Sequence, residues 1–353
     1  MKKILCIVLS LVFALGICVT AFAVIPDNEK LNERFYDGIG PEVNGRRIDY
    51  VAFSPVKRND KTKYPLVIWF HGMGDGESPR YQLERSNIST WSSYQMQTRF
   101  KGTKGAYIMA LRSPEEDKLY WTDELILPAK AAIDNFIRLN SSHIDLSRIY
   151  VGGYSMGGKM TVKMASMYPD FFAAAFPLCP AINADENTVS KLADMPVWIS
   201  ASKYDVIAGY NTYTKDIWAK LVAVTNRPED CRLSVFGRVC YPDGKYTPSN
   251  HYVWFAANND FFTYDNEDYY NMTTCDATGY IIDLEYPDGL ISWLSSFRSE
   301  NCKITYEPTD AFATEKEGFF DTFSLDMLFR LIKAVLLEPV EFFKEAFDNY
   351  LVK

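Results

Sequence analysis

The chain has 353 residues, 48% of them hydrophobic, and a formal net charge of −8 at pH 7. A chain of this length and composition can bury a sizeable core, which excludes disorder of the whole protein. The acidic balance and the lack of any basic run after the first residues disfavour nucleic acid as a partner, because phosphate binding needs clustered Lys and Arg.

The N-terminus has the pattern of an export signal. Lys2 and Lys3 precede the apolar run "ILCIVLSLVFALGICV", and "AFA", which ends at Ala23, fits the small-x-small rule of signal peptidase. The run is shorter than the roughly 20 residues of a membrane span. We therefore expect residues 1–23 to be a cleaved signal peptide and the mature protein to be secreted or attached to the cell surface; a membrane anchor is the alternative.

After the signal, strand patterns alternate with helix patterns. The apolar, β-branched runs that predict strands are 46–55, 64–72, 106–114, "RIYVGG", "FAAAFPLC", 195–202 and "CRLSVFGRV". The segments with helical periodicity are 124–140, "GGKMTVKMASMYP" and 214–224. This order predicts an α/β fold with a mostly parallel central sheet and helices on both faces.

The stretch "VGGYSMGGK" places one serine among glycines at a strand-to-helix junction. A nucleophile elbow needs this context, because its sharp turn lifts the hydroxyl clear of the sheet while the glycines let neighbouring backbone approach. Gly153 and Gly157 satisfy that need. We predict that Ser155 is a nucleophile and that the backbone N–H of Met156 is an oxyanion donor; a plain glycine-rich turn is the alternative.

The chain offers three histidines as a base. His71, in "WFHGMGDGE", is typical with Gly72 of a loop that carries the second oxyanion donor, which we assign to the N–H of Met73. His143 lies upstream of the elbow strand and is more typical of a surface residue. Only His251, in "TPSNHYVWF", gives the chain order serine, acid, histidine of α/β-hydrolases.

Asp205 is the favoured acid, because it follows the predicted strand 195–202 on a short loop. There its carboxylate would hold the imidazole in one tautomer and stabilise the imidazolium. The competing acids, each also typical of a solvated turn, are Asp185, Asp194, Asp230 and Asp243.

Five motifs in this order resemble those of secreted esterases related to polyhydroxybutyrate depolymerases and feruloyl esterases, and of predicted serine peptidases in the same α/β-hydrolase superfamily. They are "YPLVIWFHGMGDG", "SHIDLSRIYVGGYSMGGKM", "PVWISASKYD", "NHYVW" and "GLISWLSSFR", within residues 46–298. The resemblance implies an α/β-hydrolase domain over residues 24–302.

It also implies hydrolysis of feruloyl, acetyl or other short acyl or aryl esters, including those on plant polysaccharide, through the triad Ser155, His251 and Asp205 without a cofactor. The alternatives are a serine peptidase of the prolyl oligopeptidase-like group and a non-catalytic binding protein on the same fold.

About forty residues separate His251 from Trp293, more than in these relatives. We expect this insertion, about residues 256–285, at the rim of the active site, either as a lid that stacks on sugar or phenolic rings or as an ordinary capping loop. Trp254 is a candidate for the same rim or for core packing. The aromatic candidates within the insertion are Phe261, Phe262, Tyr264, Tyr269 and Tyr270. The nearby Asp260, Asp265 and Asp268 lack the glycine and terminal glutamate of a calcium loop, so no metal site is predicted.

Five cysteines follow the signal, and an oxidising exterior would permit pairing. Cys179 lies in an apolar run and is expected to be a buried free thiol. The sequence-local pairings of the rest are Cys231 with Cys240 and Cys275 with Cys302.

Beyond Cys302 the chain changes character. A polar linker precedes residues 318–353, where large apolar side chains recur at spacings of three and four. This pattern predicts two short amphipathic helices broken at Pro339. Three interpretations of this extension over 303–353 stay open: docking on the hydrolase body, a peripheral membrane or cell-surface tether, and self-association.

Overall fold

The computed structural model describes residues 28–55, 61–78, 80–114, 120–241, 245–260, 272–284 and 288–299. All of them belong to the first of two compact units in the chain, Met1–Thr309. The predicted signal peptide, the second unit and Cys302 lie outside the described residues, so the expectations for them stay predictions.

The described residues form one ten-stranded sheet, in the order β1-β2-β4-β3-β5-β6-β7-β8-β9-β10. The strands are β1 Tyr36–Ile39, β2 Asp49–Phe53, β3 Tyr64–Phe70, β4 Tyr107–Arg112, β5 Ile144–Tyr154, β6 Ala174–Leu178, β7 Trp198–Ser202, β8 Arg232–Phe236, β9 Met272–Asp276 and β10 Ile281–Ile282. The six central strands, from β4 to β8 in that order, are parallel. Antiparallel pairs complete both edges.

One helix precedes these strands, and the others lie between and after them. They are α1 Asn28–Asn32, α2 Tyr81–Ser86, α3 Tyr94–Thr98, α4 Ile126–Leu139, α5 Met156–Met167, α6 Glu186–Ser190, α7 Thr214–Val224, α8 Val253–Asn258 and α9 Leu290–Leu294, with 3₁₀ turns at Ile88–Ser92 and Asp123–Leu125. None of the described helices is long and apolar enough to cross a membrane.

Strand β3 shows why the sheet has helices on both faces. All seven of its residues are buried, and side chains of a strand alternate between the two faces. Ile68 and Phe70 belong to the apolar cluster that includes residues of α4 and α5. Val67 and Trp69 belong to a second cluster, which includes residues of α3, α8 and α9. The predicted α/β fold with a mostly parallel sheet is therefore confirmed.

The second half of the predicted rim insertion forms part of the sheet instead. Residues 272–276 pair with β8 in antiparallel register, from Met272 opposite Phe236 to Asp276 opposite Arg232. Residues 281–282 then add the edge strand β10. The rim interpretation is wrong for this half of the insertion, and the aromatic candidates at 261–270 lie outside the described residues.

The predicted Cys231–Cys240 disulfide is not supported, because both thiols are free. Strand β8 separates the two residues. Cys275 is also a free thiol, so its predicted pairing with Cys302 is not supported.

Candidate active site

Ser155 lies at the junction between β5 and α5, in a strained backbone conformation. Its φ is 57° and its ψ is −117°, a combination that residues with a Cβ seldom adopt and that is found chiefly at functional sites. Its N–H donates to the carbonyl of Leu178 at 2.9 Å, and its own carbonyl accepts from Ala181 at 3.1 Å. The neighbouring strand β6 and the loop that follows it therefore hold the turn on both sides, as expected of a nucleophile elbow.

The glycines around Ser155 are required by close backbone approach. A Cβ on Gly157 would lie 2.5 Å from the carbonyl oxygen of His71, and one on Gly153 would lie 2.8 Å from the carbonyl oxygen of Gly157. Neither position has room for a side chain. The elbow is thus packed directly against the end of β3 and the loop that follows it.

His251 and Asp205 meet beyond the carboxyl ends of the parallel strands, where Ser155 also lies. The Nδ1 atom of His251 lies 2.7 Å from Oδ2 of Asp205, and both side chains are buried. The other carboxylate oxygen accepts the N–H groups of Ile207 at 2.8 Å and Ala208 at 3.0 Å. Asp205 follows β7 and His251 follows β8, so both lie at the carboxyl ends of parallel strands, as Ser155 does at the end of β5.

The other two histidines have different environments. The Nε2 atom of His71 accepts the N–H of Ser113 at 3.1 Å, so Nδ1 carries the proton and donates to the carbonyl of Gly72 at 2.6 Å. Burial lowers the pKa of His71 to about 4, which keeps the ring neutral at pH 7. His143 directly precedes β5, at the edge of the sheet opposite Ser155. Neither histidine is placed to serve as the base.

The competing acids that the structure describes are engaged elsewhere. Asp185 caps α6 by accepting the N–H of Thr188 at 2.7 Å. Asp194 accepts the amide of Asn226, and Asp230 pairs with Arg227 at 2.7 Å. Asp243 lies outside the described residues.

Cys179 is buried as predicted, but its position next to the histidine was missed. Its thiol donates to the carbonyl of His251 at 3.5 Å, and its sulfur lies within 4.8 Å of an imidazole nitrogen of His251 and a carboxylate oxygen of Asp205. These three atoms are close enough to one another to bind a metal ion. Two of the three groups, however, are already engaged with each other in the His251–Asp205 hydrogen bond. The available signal was that Cys179 follows β6, the strand beside that of Ser155.

The charge environment favours a basic imidazole at position 251. Burial by itself lowers the pKa of His251, but the Cys179 sulfur and the Asp205 carboxylate outweigh burial and raise it. An anionic partner at Nδ1 leaves Nε2 as the nitrogen available to exchange a proton with a substrate or a nucleophile.

The predicted oxyanion donors lie on either side of the elbow. Met156 is the first residue of α5, so the helix itself provides no acceptor for its N–H. Met73 lies in the loop after β3, the strand that pairs with β5, and its side chain is 55% exposed. The oxyanion role of both amides stays a prediction.

Trp254 is buried, which favours core packing over the predicted place at the rim. Its ring meets His251 edge-to-face at 5.5 Å and stacks on Tyr154 at 3.9 Å. Its indole N–H donates to the carbonyl of Arg85 at 3.2 Å. Phe261, Phe262 and Tyr264 lie outside the described residues.

An exposed apolar surface next to Asp205 was not predicted. Val206 is 88% exposed, and its neighbours Tyr204 and Ile207 are more than half exposed. Their loop follows β7, while Met73 follows β3. The two loops therefore lie on opposite sides of the strands β5 and β6 that carry Ser155 and Cys179.

Comparison with known proteins links this site to two classes of hydrolase. A model of the prolyl oligopeptidase family matches residues 129–215, which include Ser155 and Asp205. Dipeptidyl aminopeptidase A of Saccharomyces cerevisiae is 30% identical over 147 residues, covering 40% of this chain and 15% of that protein. Cutinase est2 of Thermobifida alba is 31% identical over 106 residues, covering 30% of this chain and 31% of the cutinase.

A solved thermostable esterase shares the fold, with a TM-score of 0.57 and 21% identity over 76% of this chain and 64% of that one. The chain thus spans less than a third of the length of the two curated relatives. The similarity to the esterase extends over most of the present chain.

Proposed function

The chain has the α/β-hydrolase fold and resembles esterases and serine peptidases, and on that premise we propose that it is a serine hydrolase of carboxylic esters. The observation that carries the proposal is the 2.7 Å contact between His251 and Asp205 at the sheet edge where Ser155 occupies a strained turn. A serine hydroxyl needs such a base, and the base needs such an acid.

The reaction follows from the atoms at the site. The Ser155 oxygen attacks the ester carbonyl while Nε2 of His251 takes its proton, because Nδ1 is engaged by Asp205. The carboxylate of Asp205 stabilises the imidazolium, and the Met73 and Met156 amides hold the oxyanion. His251 then protonates the leaving alcohol. Water repeats the sequence on the acyl-enzyme, which releases the acid and restores Ser155.

The exposed side chains around the site support an apolar acyl or aryl group. Tyr204, Val206 and Ile207 flank Asp205, and Met73 lies beyond the strand of Ser155. Apolar lining favours apolar substrate groups because their burial removes hydrocarbon surface from water. Feruloyl or other short acyl and aryl esters, including those on plant polysaccharide, fit this surface.

A serine peptidase is the second candidate, favoured by the prolyl oligopeptidase family match and the resemblance to dipeptidyl aminopeptidase A. It would use the same three residues, since acyl transfer from an amide needs the same nucleophile and oxyanion donors. A binding protein without catalysis would have no use for the strain at Ser155.

The export pattern ending at Ala23 supports secretion, and the amphipathic pattern of residues 318–353 supports contact with a membrane or cell surface. Fractionation of cells that express the full chain tests both. Full recovery inside the cell would contradict secretion, and full recovery as free protein in the medium would contradict surface contact.

Hydrolysis of nitrophenyl acyl esters, methyl ferulate, acetylated xylan and peptide anilides tests the function. Ser155→Ala and His251→Ala are each expected to lower kcat roughly a million-fold. Ser190→Ala, which alters an exposed serine of α6, is the matched control with unchanged rates. Preferred cleavage of anilides would select the peptidase, and turnover that survives in both variants would refute the triad.

A further inference from the structure

Asp75 is a largely buried carboxylate that the proposed mechanism does not use. It lies in the segment His71–Glu77, here called the oxyanion loop, two residues after Met73. Glycines occupy positions 72, 74 and 76, and Gly74 has a φ of 81°. Glycine-rich backbone has little intrinsic rigidity, so hydrogen bonds must fix the direction of the Met73 N–H. One is the bond from Nδ1 of His71 to the carbonyl of Gly72, which belongs to the same peptide group as that N–H.

The two ends of the oxyanion loop are held by backbone contacts. At its start, Trp121 donates to the carbonyl of His71 at 3.1 Å, and His71 binds the N–H of Ser113. At its end, Nε of Arg112 donates to the carbonyl of Gly76 at 2.6 Å. These bonds fix residues 71 and 76. In the middle of the loop, the N–H of Asp75 donates to the carbonyl of Gly72 at 3.4 Å, so the position of Asp75 bears directly on the peptide group of Met73.

Asp75 connects the middle of the loop to the nucleophile turn. Its Oδ2 atom accepts a hydrogen bond from the hydroxyl of Tyr154, the residue directly before Ser155. The ring of Tyr154 also packs on the loop, because a Cβ on Gly72 would lie only 3.0 Å from its Cζ atom. The nucleophile turn and the oxyanion loop are therefore in contact at both Gly72 and Asp75, on either side of Met73.

The same carboxylate is connected to the histidine side of the site. Oδ1 of Asp75 lies 3.5 Å from Nε of Arg85. The carbonyl of Arg85 accepts the indole N–H of Trp254, whose ring packs between Tyr154 and His251. Asp75 thus contacts one residue adjacent to the serine and one that holds the aromatic partner of the histidine.

We propose that Asp75 is a positioning residue whose carboxylate, held by Tyr154 and Arg85, fixes the Met73 amide towards the oxyanion. The inference rests on the proposed serine hydrolase function and adds a residue to it. Burial raises the pKa of Asp75 to about 6, so placing the carboxylate there costs free energy. Its contacts to Tyr154 and Arg85 offset that cost and orient the loop.

Loss of this contact should affect kcat rather than KM. The oxyanion exists only in the transition state, and removal of an oxyanion donor costs about 10²–10³ in kcat. If the Met73 N–H points in the wrong direction, part of this stabilisation of the oxyanion is lost. We expect Asp75→Ala and Tyr154→Phe each to lower kcat about 10–100-fold with KM nearly unchanged.

A conservative variant and a double variant separate positioning from general damage. Asp75→Asn retains an oxygen that accepts from Tyr154 and is expected to recover most of the kcat lost in Asp75→Ala. The Asp75→Ala/Tyr154→Phe variant should lose little more than either single variant, because both remove the same contact.

Two matched variants serve as controls. Tyr150→Phe removes a buried hydroxyl on the same strand, which donates to the carbonyl of Phe297 at 3.1 Å. Asp37→Ala removes a surface ion pair with Arg80 at 3.2 Å. Both should keep the wild-type kcat, and thermal melts of every variant give the folded fraction by which kcat is corrected.

Labelling of Ser155 by a fluorophosphonate distinguishes failure of the inference from failure of the function. If the wild type is neither labelled nor active on esters or anilides, the proposed function is wrong. If the wild type is active and Asp75→Ala matches it in kcat, or only KM rises, the role of Asp75 is refuted. Fall of kcat at constant KM, with recovery in Asp75→Asn, supports it.

Discussion

Two buried carboxylates in this protein differ in role because they differ in the basic residue that each one contacts. Asp205 faces His251 at 2.7 Å, whereas Asp260 faces Arg99 at 2.6 Å. Asp260 also accepts the N–H of Ile291 at the start of α9, and Gly289 leaves the room it needs. A guanidinium stays charged at every accessible pH and so offers no proton for exchange, whereas an imidazole can gain and lose a proton.

The largest expected effect is a loss of kcat on substitution of Asp205 that substitution of Asp260 does not cause. Asp205→Asn should lower kcat about 10⁴-fold, because the amide holds the imidazole in the wrong tautomer. Asp260→Asn should leave kcat per folded molecule unchanged. Steady-state kinetics corrected for the folded fraction give both values, and an equal loss in the two variants would contradict the assignment.

The free energy of unfolding should fall more in Asp260→Asn than in Asp205→Asn, the reverse of the order expected for kcat. Asp260→Asn removes the carboxylate partner of a buried arginine and is expected to lower the free energy of unfolding by about 3–5 kcal/mol. Arg99→Met combined with Asp260→Asn should cost less than Asp260→Asn alone, since the positive charge that Asp260 neutralised is then removed as well. Urea denaturation of these two variants and of Asp205→Asn measures these differences, and a larger cost for the double variant than for Asp260→Asn would refute the explanation.

The pH dependence of activity should reflect the raised pKa of His251. The base must be neutral to accept the proton of Ser155, so the rate should rise with pH through an apparent pKa above the ordinary 6.5 of histidine. Asp205→Asn should shift that limb to lower pH, because it removes an anion that stabilises the imidazolium. Profiles of kcat/KM against pH test both, and a wild-type limb below 6.5 would contradict the geometry.

The smallest expected effect concerns Cys179. Cys179→Ala removes a sulfur that raises the pKa of His251, so the acidic limb should move to lower pH. The rate at its optimum should change less than about tenfold, because Cys179 takes no part in acyl transfer. A loss as large as that of Asp205→Asn would show that the thiol acts in the reaction.

Local patterns predicted the central part of the fold well. Helix α7 spans 214–224 as its periodicity indicated, and the strands around Ser155 and Asp205 were found within a few residues. Each of these segments is buried on one or both faces, so its apolar residues recur at a spacing that the sequence alone reveals. The antiparallel strands β1, β9 and β10 were missed, because they are short and partly exposed.

The sequence by itself determined the candidates for the site and their order in the chain. The glycines beside Ser155 indicated the elbow, the scarcity of histidines left His251, and chain order favoured Asp205. Only tertiary structure decided that Cys179 lies against His251 and that Asp75 meets Tyr154. These contacts join residues far apart in the chain, and no local spacing encodes which loops meet when parallel strands bring their carboxyl ends to one edge.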